Sequence, residues 1–326
     1  MSVIICTSGR PASLQNCLES LTKQKSQVLF EVIVVKSDSD EKTQKVINGF
    51  LQKLNLKTIP DPQNGLAAAR DIGWRKAEAE IVSWIDDDVV VENNWLESIL
   101  KIFAENHDIG GVSGPTLIPK ILLANRDIFS FYKNGGRELS FLGKIWAWFF
   151  LDNKPFAVGK LFKSGAWSPG SNFPQCLKIN GLKEVDYLEA CNMSLRKDLV
   201  EKVSGFDLGF QGTAEWCEID LAQKVKKLGQ KLVFNPEAIV YHHISRSGAF
   251  TKRTMAKERM ENFFRFYFRH VFKPDPEYIL RFSAYVLFLN FYWLFKAVST
   301  LNLDWLGGWL GTITGLRFIL CKTRKI

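Results

Sequence analysis

The chain has 326 residues, 46% hydrophobic and 24% charged, which excludes a disordered segment and allows one large or two modest domains. Its formal charge of +9 invites a nucleic-acid reading, but residues 1–250 carry 30 Lys and Arg against 29 Asp and Glu, while residues 251–326 carry 13 against 5. The near-neutral first part lacks the basic groove that phosphate neutralisation needs, so no nucleic-acid partner is expected.

Taken in chain order, Val3–Cys6 reads as a buried strand. Leu14, Cys17, Leu18 and Leu21 follow at helical spacing, and Phe30–Val35 is a second apolar strand. Strand, helix, strand within 35 residues is a βαβ unit and predicts a parallel sheet. Lys36–Lys42 reads as a polar loop, Gly65–Ala77 as an Ala-rich helix, and Ile81–Ile85 as a third strand that runs into Asp86-Asp87-Asp88. Asn94 with Glu97 resembles a capping box for a helix bearing Leu96, Ile99, Leu100 and Phe103. Ile109–Ser113 is a further strand. Residues 115–185 are irregular around the aromatic cluster Ile145–Phe150. Order returns at Val185–Leu195, in a helix near Glu215–Leu228 and in a strand within Lys231–Tyr241. Six scattered cysteines without a C-x-x-C pair argue against a zinc module or a disulfide framework, and predict reduced thiols in a cytosolic setting. The start at Met1-Ser2 reads as lacking a signal peptide.

Three groups carry chemistry. Asp86, Asp87 and Asp88 lie just past a strand end, where open α/β sheets bind ligands. Adjacent carboxylates repel one another unless a cation offsets them, and hard oxygen donors suit Mg²⁺ or Mn²⁺. Glu215, Glu218 and Asp220 form a second acidic group at a helix start. Glu215 and Glu218 are expected on one face there, and an ionised carboxylate can act as general base. His242-His243 close a strand and offer a metal ligand.

Several boxes in order then resemble the family 2 glycosyltransferases, inverting enzymes of the GT-A fold. The opening Ser2–Pro11 looks like the first strand and nucleotide loop, and Phe30–Val35 with Asp38 and Asp40 like the second strand and base-binding loop. Asn64–Gly73 resembles the G-x-x-x-A-R-N-x-G segment, and Trp84–Asp88 sits where the family has D-x-D. Glu189–Arg196 resembles the acceptor-side G-x-N-M-x-x-R box. Gly205-Phe206-Asp207 with Cys217–Leu221 resembles G-F-D…E-D-x-D-L, and Pro236–His242 the P-x-A-x-V-x-H close. Lys36, Asp71 and the Cys217-Glu218 pair depart from the usual residues.

The resemblance implies an α/β GT-A fold, Rossmann-like, with a mostly parallel sheet and helices on both faces. It implies transfer of a sugar from a nucleotide-diphosphate donor, foremost a UDP-sugar, to an acceptor hydroxyl with inversion. Glu218 is then the expected base, with Glu215 as the alternative. Thr7, Ser8, Arg10, Asp38, Arg70, Asp86 and Asp87 are expected nucleotide-sugar contacts, with Asp86 toward the ribose. Asp88 and His242 are expected to hold Mn²⁺ or Mg²⁺, and Asn192, Arg196 and Asp220 to lie on the acceptor side. Arg246 and Ser247 are further candidates for the diphosphate. The acceptor would be a glycan or a lipid-linked glycan, in polysaccharide, lipopolysaccharide or glycolipid assembly. The expected division is 1–115 for the nucleotide-sugar half, 116–250 for the acceptor and catalytic half, and 251–326 for a membrane-associated segment.

That last segment explains the charge. Phe282–Leu301 has 15 apolar residues in 20 and one charge, Lys296. After a break at Asn302-Leu303-Asp304, Trp305–Leu320 carries Gly307, Gly311 and Gly315 at a spacing that lets helices approach closely. Basic residues, Lys252 to Arg281 and Lys322, Arg324 and Lys325, bracket the pair, which predicts attachment at the cytoplasmic side of the cell membrane, as a hairpin or as interfacial helices. Two other functions compete. A sugar-nucleotide nucleotidyltransferase would want a Gly-rich basic loop after the first strand, and this loop has one Gly and one Arg. A non-catalytic sugar-nucleotide-binding protein would have no need of the acids at 215–220.

Overall fold

The computed structural model describes residues 1–25, 28–36, 41–61, 65–119, 130–134, 136–244 and 255–319. Period-two alternation in its strands builds two cores, one on each face of a sheet. In β1 (Ser2–Thr7), Val3 and Ile5 point to the core that holds Leu14, Leu18 and Leu21 of α1 (Pro11–Thr22). Ile4, between them, points to the other core with Trp74. β2 (Glu31–Lys36) repeats the split, with Val32 and Val34 against Ile33 and Val35. α2 (Glu41–Asn48) and β3 (Leu56–Pro60) follow, in a stretch whose polarity hid them in the sequence. α3 (Leu66–Arg75) crosses back to β4 (Ile81–Asp86). Gly73 lets α3 lie against β1: a Cβ there would come within 2.5 Å of the Ile4 Cγ2.

Beyond β4 come β5 (Val89–Val91), α4 (Trp95–Glu105), β6 (Ile109–Ser113) and β7 (Thr116–Leu117). Asn94 does stand at the N-cap of α4, but its side chain makes no capping bond. The middle region holds a short hairpin of β8 (Tyr132–Lys133) and β9 (Glu138–Leu139), then α5 (Phe141–Phe150). β10 (Lys183–Glu184), β11 (Met193–Arg196), α6 (Lys197–Lys202), α7 (Cys217–Lys226), β12 (Lys231–Phe234) and β13 (Val240–His242) complete the body.

The main sheet has eight strands in the order β10-β12-β6-β11-β4-β1-β2-β3. The pairings β1/β2, β1/β4, β2/β3 and β6/β12 are parallel, while β11 enters antiparallel between β4 and β6 and β10 pairs antiparallel with β12. β13 joins β5 and β7 in a separate three-stranded sheet. Lys231–Tyr241, expected as one strand, is therefore two strands in two sheets. Asn235-Pro236 lies between them, where proline removes a ladder donor. The small sheet carries His242 to the end of β4, directly beside the acidic run.

The C-terminal segment comprises α8 (Ala256–Phe266), a π-helical turn over Tyr267–Val271, α9 (Pro276–Thr300) and α10 (Gly307–Gly315). At 25 residues α9 is long and apolar enough to cross a membrane. The nine residues Gly307–Gly315 rise only about 14 Å, less than the roughly 30 Å of hydrocarbon that a span crosses. The glycine spacing does permit close approach, but largely to α8: a Cβ on Gly311 would meet the Lys257 carbonyl oxygen at 2.3 Å and one on Gly315 the Phe264 ring at 2.7 Å, whereas Gly308 faces Trp293 of α9. The aromatic cluster divides by side. Trp146 is buried against Phe288 and Tyr285 of α9, while Trp148 is 65% exposed.

Candidate active site

The parallel strands β1 and β4 end side by side, so Thr7 and Arg10 face the acids that follow Ile85. Thr7 Oγ1 donates to Asp87 Oδ2 at 2.6 Å and Arg10 Nε to the same oxygen at 3.0 Å. Arg10 Nη1 reaches Asp88 Oδ2 at 3.1 Å. Ser8 is exposed at the same edge. Burial pushes the Asp87 carboxyl up to about 7, against the opposing pulls of Arg10 and Thr7.

His242 Nε2 lies 3.2 Å from Asp88 Oδ1, and its Nδ1 is 3.8 Å from Cys191 Sγ. Ligand atoms of Asp86, Asp88 and His242 all fall within 4.8 Å of one another. Burial pushes the Cys191 thiol up, so the available donors are oxygen and nitrogen. Two carboxylates with one imidazole fit Mn²⁺ or Mg²⁺ better than a thiophilic metal. Asp86, expected toward a ribose, thus belongs to the same ligand group as Asp88. The cysteines among the described residues, Cys6, Cys17, Cys176, Cys191 and Cys217, are all unbridged.

Glu218 approaches this group from α7. It is 6% exposed and its Oε1 accepts from Arg70 Nη1, whose other amino group, Nη2, donates to Asp86 Oδ1 at 3.1 Å. Arg70 is itself 3% exposed and bridges the two acidic groups. Glu215 lies outside the helix and turns away to Arg259 Nε at 2.8 Å. The two glutamates therefore share no face, because α7 begins only at Cys217, after Trp216 in a left-handed conformation (φ 79°).

The expected acceptor-side residues are each held by internal partners. Arg196 pairs with Ile81 at the opposite end of β4, and its guanidinium donates to the carbonyls of Phe103, Asn106 and Ile109. It closes the C-terminus of α4, where cations are favoured. Asn192 is fully buried, accepting from Trp95 Nε1 at 2.9 Å and donating to the Ala238 carbonyl at 2.8 Å. Asp220 is fully buried among Lys224, Arg269 and His270. Asp38, with Asp40, Arg246 and Ser247, lies outside the described residues.

Two residues of the quoted boxes take roles the sequence did not assign. Asp71, where Asn is usual, accepts from Trp74 Nε1, Arg75 Nε and the Phe206 amide, tying α3 to the Gly205-Phe206-Asp207 turn. An acceptor-only carboxylate suits three donors. Glu189 is near His242 and Ser171, and burial pushes its carboxyl up to about 7 despite both neighbours. Its place at the head of the Glu189–Arg196 box was the only signal for it.

Residues 2–134 match the sequence model of Glycosyl transferase family 2. Among curated proteins, the hyaluronan synthase of Pasteurella multocida is 32% identical over 111 residues, 33% of this chain and 11% of that protein. The glucosyl-dolichyl phosphate glucuronosyltransferase of Haloferax volcanii is 26% identical over 133 residues, 40% of this chain and 42% of that protein. The chain therefore spans a small part of the first of these relatives and under half of the second. In structure, S. aureus TarS 1-349 in complex with UDP-GlcNAc superposes with a TM-score of 0.59 at 18% identity, covering 98% of this chain and 80% of that one. The mannosyltransferase PcManGT of Pyrobaculum calidifontis, in complex with GDP-Man and Mn²⁺, gives 0.54 at 16% identity, covering 96% and 85%. At such identities the likeness speaks for the fold.

Proposed function

We propose, from the premise that residues 2–134 form a family 2 glycosyltransferase domain on a GT-A fold, that the chain transfers a sugar from a nucleotide-diphosphate donor to an acceptor hydroxyl with inversion. The observation that carries this reading is the meeting of a metal-competent group, Asp86, Asp88 and His242, with a buried carboxylate, Glu218, through one arginine. Nucleotide-sugar ligands in TarS and PcManGT support the donor class. The proposed division of labour keeps the nucleotide-sugar half at 1–115, the acceptor and catalytic half at 116–250 and the membrane segment at 251–326.

In the reaction, the acceptor oxygen attacks the anomeric carbon opposite the departing diphosphate, the carbon–oxygen bond to the diphosphate breaks, and Glu218 takes the hydroxyl proton. A divalent ion held by Asp86, Asp88 and His242 would supply charge neutralisation for the leaving diphosphate. Arg10 and Thr7 hold Asp87 and Asp88 in place, and Arg70 keeps the two acidic groups in register.

Incubation with a panel of UDP- and GDP-sugars, with and without Mn²⁺, separates this reading from its rivals. Mn²⁺-stimulated release of nucleoside diphosphate is the expected result. Binding without turnover would favour a non-catalytic sugar-nucleotide protein, and formation of a nucleotide sugar from nucleoside triphosphate and sugar-1-phosphate would favour a nucleotidyltransferase.

The membrane reading rests on α9 and α10. Leu287, Phe291, Phe295 and Val298 are exposed along α9, as are Trp309 and Ile313 on α10. Phe141, Ile145 and Trp148 are exposed on α5, which packs on α9. Exposed apolar side chains of this kind, with a cationic tail, suit an interfacial position on anionic lipid. The protein is expected to sediment with phosphatidylglycerol vesicles, less with phosphatidylcholine, and the double variant Phe291→Glu/Phe295→Glu to remain in the supernatant. Equal binding by that variant would remove α9 from the interface.

A further inference from the structure

We propose that α8 is a positioning element for the base, gripping the loop before Glu218 from outside the site. This rests on the reading of Glu218 as the base. The loop is under conformational constraint: Gly212, Ala214 and Trp216 have φ of 65°, 52° and 79°, all left-handed, and Trp216 is the last residue before α7. Non-glycine residues in that region persist only where their surroundings over-determine them.

α8 and its π turn supply those surroundings along one face. The Gln211 amide donates to Asn262 Oδ1 at 3.1 Å, and Asn262 Nδ2 returns a bond to the Gln211 carbonyl at 2.9 Å. Glu215 pairs with Arg259 at 2.8 Å. The Trp216 ring stacks on Phe266 with centroids 4.9 Å apart and planes 16° from parallel. Asp220, one turn into α7, is held by Arg269 and His270, each at 2.7 Å. Positions 259, 262 and 266 recur at helical spacing on one face of α8, and Arg269 and His270 follow in the π turn, so the two together grip the loop on both sides of Glu218. None of these side chains reaches Asp86, Asp88 or His242 in the contacts described above. They act through the loop and are positioning residues.

The other face of α8 meets the apolar segment. Glu261 pairs with Thr314 at 2.5 Å and Arg317 at 3.1 Å, Lys257 packs against Gly311, and Phe264 lies against Gly315. Arg259 also lies over the Trp293 ring at 4.9 Å. The sequence rival for the base, Glu215, is on this account the handle by which α8 holds the true one.

Three variants and two readouts test the clamp. Arg259→Met is expected to lower kcat for nucleotide release by about 10²-fold, the scale of a small misplacement of a catalytic group, with the affinity for UDP and Mn²⁺ unchanged. Arg259→Lys recovers a large part of that loss. Glu261→Gln, on the opposite face, keeps kcat. In Arg259→Met, amide hydrogen exchange quickens over 211–220 and not over 81–88. Normal kcat with unchanged exchange in Arg259→Met would overturn the clamp, and so would a parallel loss of kcat, UDP affinity and melting temperature. Glu218→Gln, run alongside, keeps the two questions apart. If it retains turnover, the base assignment fails, and exchange over 211–220 alone then decides whether α8 grips the loop.

Discussion

Glu218→Gln is expected to cut glycosyl transfer by about 10²–10⁴-fold, the usual worth of a general base, while UDP binding in the presence of Mn²⁺ stays at the wild-type level. The swap is isosteric, so the amide keeps the volume of a side chain that is 6% exposed. It removes the proton acceptor and leaves Asp86, Asp87 and Asp88 untouched. Its structural cost falls on Arg70, which is 3% exposed and loses one of two carboxylate partners while keeping Asp86. Removing one member of a buried ion pair costs up to about 3–5 kcal/mol, and the surviving bond to Asp86 holds the cost below that range. A melting curve beside the kinetics separates lost chemistry from lost fold. Calorimetry with UDP and Mn²⁺ measures the binding that should survive. Near-normal turnover in Glu218→Gln together with its loss in Glu215→Gln would transfer the role to Glu215, against the Arg259 pairing seen here.

Strands β1, β2, β4 and β6 were legible because they are short apolar runs bounded by turn residues, and parallel crossovers follow from strand–helix–strand spacing. α2 and β3 were missed because their residues are polar or half-exposed: Glu41–Asn48 buries only Thr43 and Ile47, and Leu56–Pro60 only Ile59. The antiparallel entry of β11 between β4 and β6 leaves no local mark, since pairing partners are chosen across the fold. The acidic run was legible as a site because a carboxylate triplet at a strand end has few structural uses. Asn192, Arg196 and Asp220 were less legible for the opposite reason. A polar side chain gives no sign in sequence of whether it will be satisfied internally, and each of these is, by partners distant in the chain. The basic tail was half legible. Its apolar character was plain, but the glycine-bearing helix docks chiefly on α8, whose amphipathic face was not recognised.

Removal of the metal, by excess EDTA or by Asp88→Asn, is expected to lower turnover by at least about 10²-fold, because losing ~3 kcal/mol of charge stabilisation at a departing diphosphate is a hundredfold in rate. Stability without metal should change little. Asp86, Asp87 and Asp88 crowd one strand end, with Arg10, Arg70 and His242 paired to them. Neutralising Asp88 relieves repulsion within that cluster and weakens its pairs with Arg10 and His242, two opposed effects, so the variant without metal should melt close to the wild type without metal. The wild type should gain on adding Mn²⁺, by about 2.7 kcal/mol at one hundred times the dissociation constant, and Asp88→Asn should lose most of that gain. Thermal shift with and without Mn²⁺ and UDP reads both effects in one experiment. Full activity in excess EDTA would mean that the protein's own cations, such as Arg10 and His242, carry the leaving-group charge. The short distance from His242 to Asp88 would then be an internal ion pair, with no ligand shell to complete.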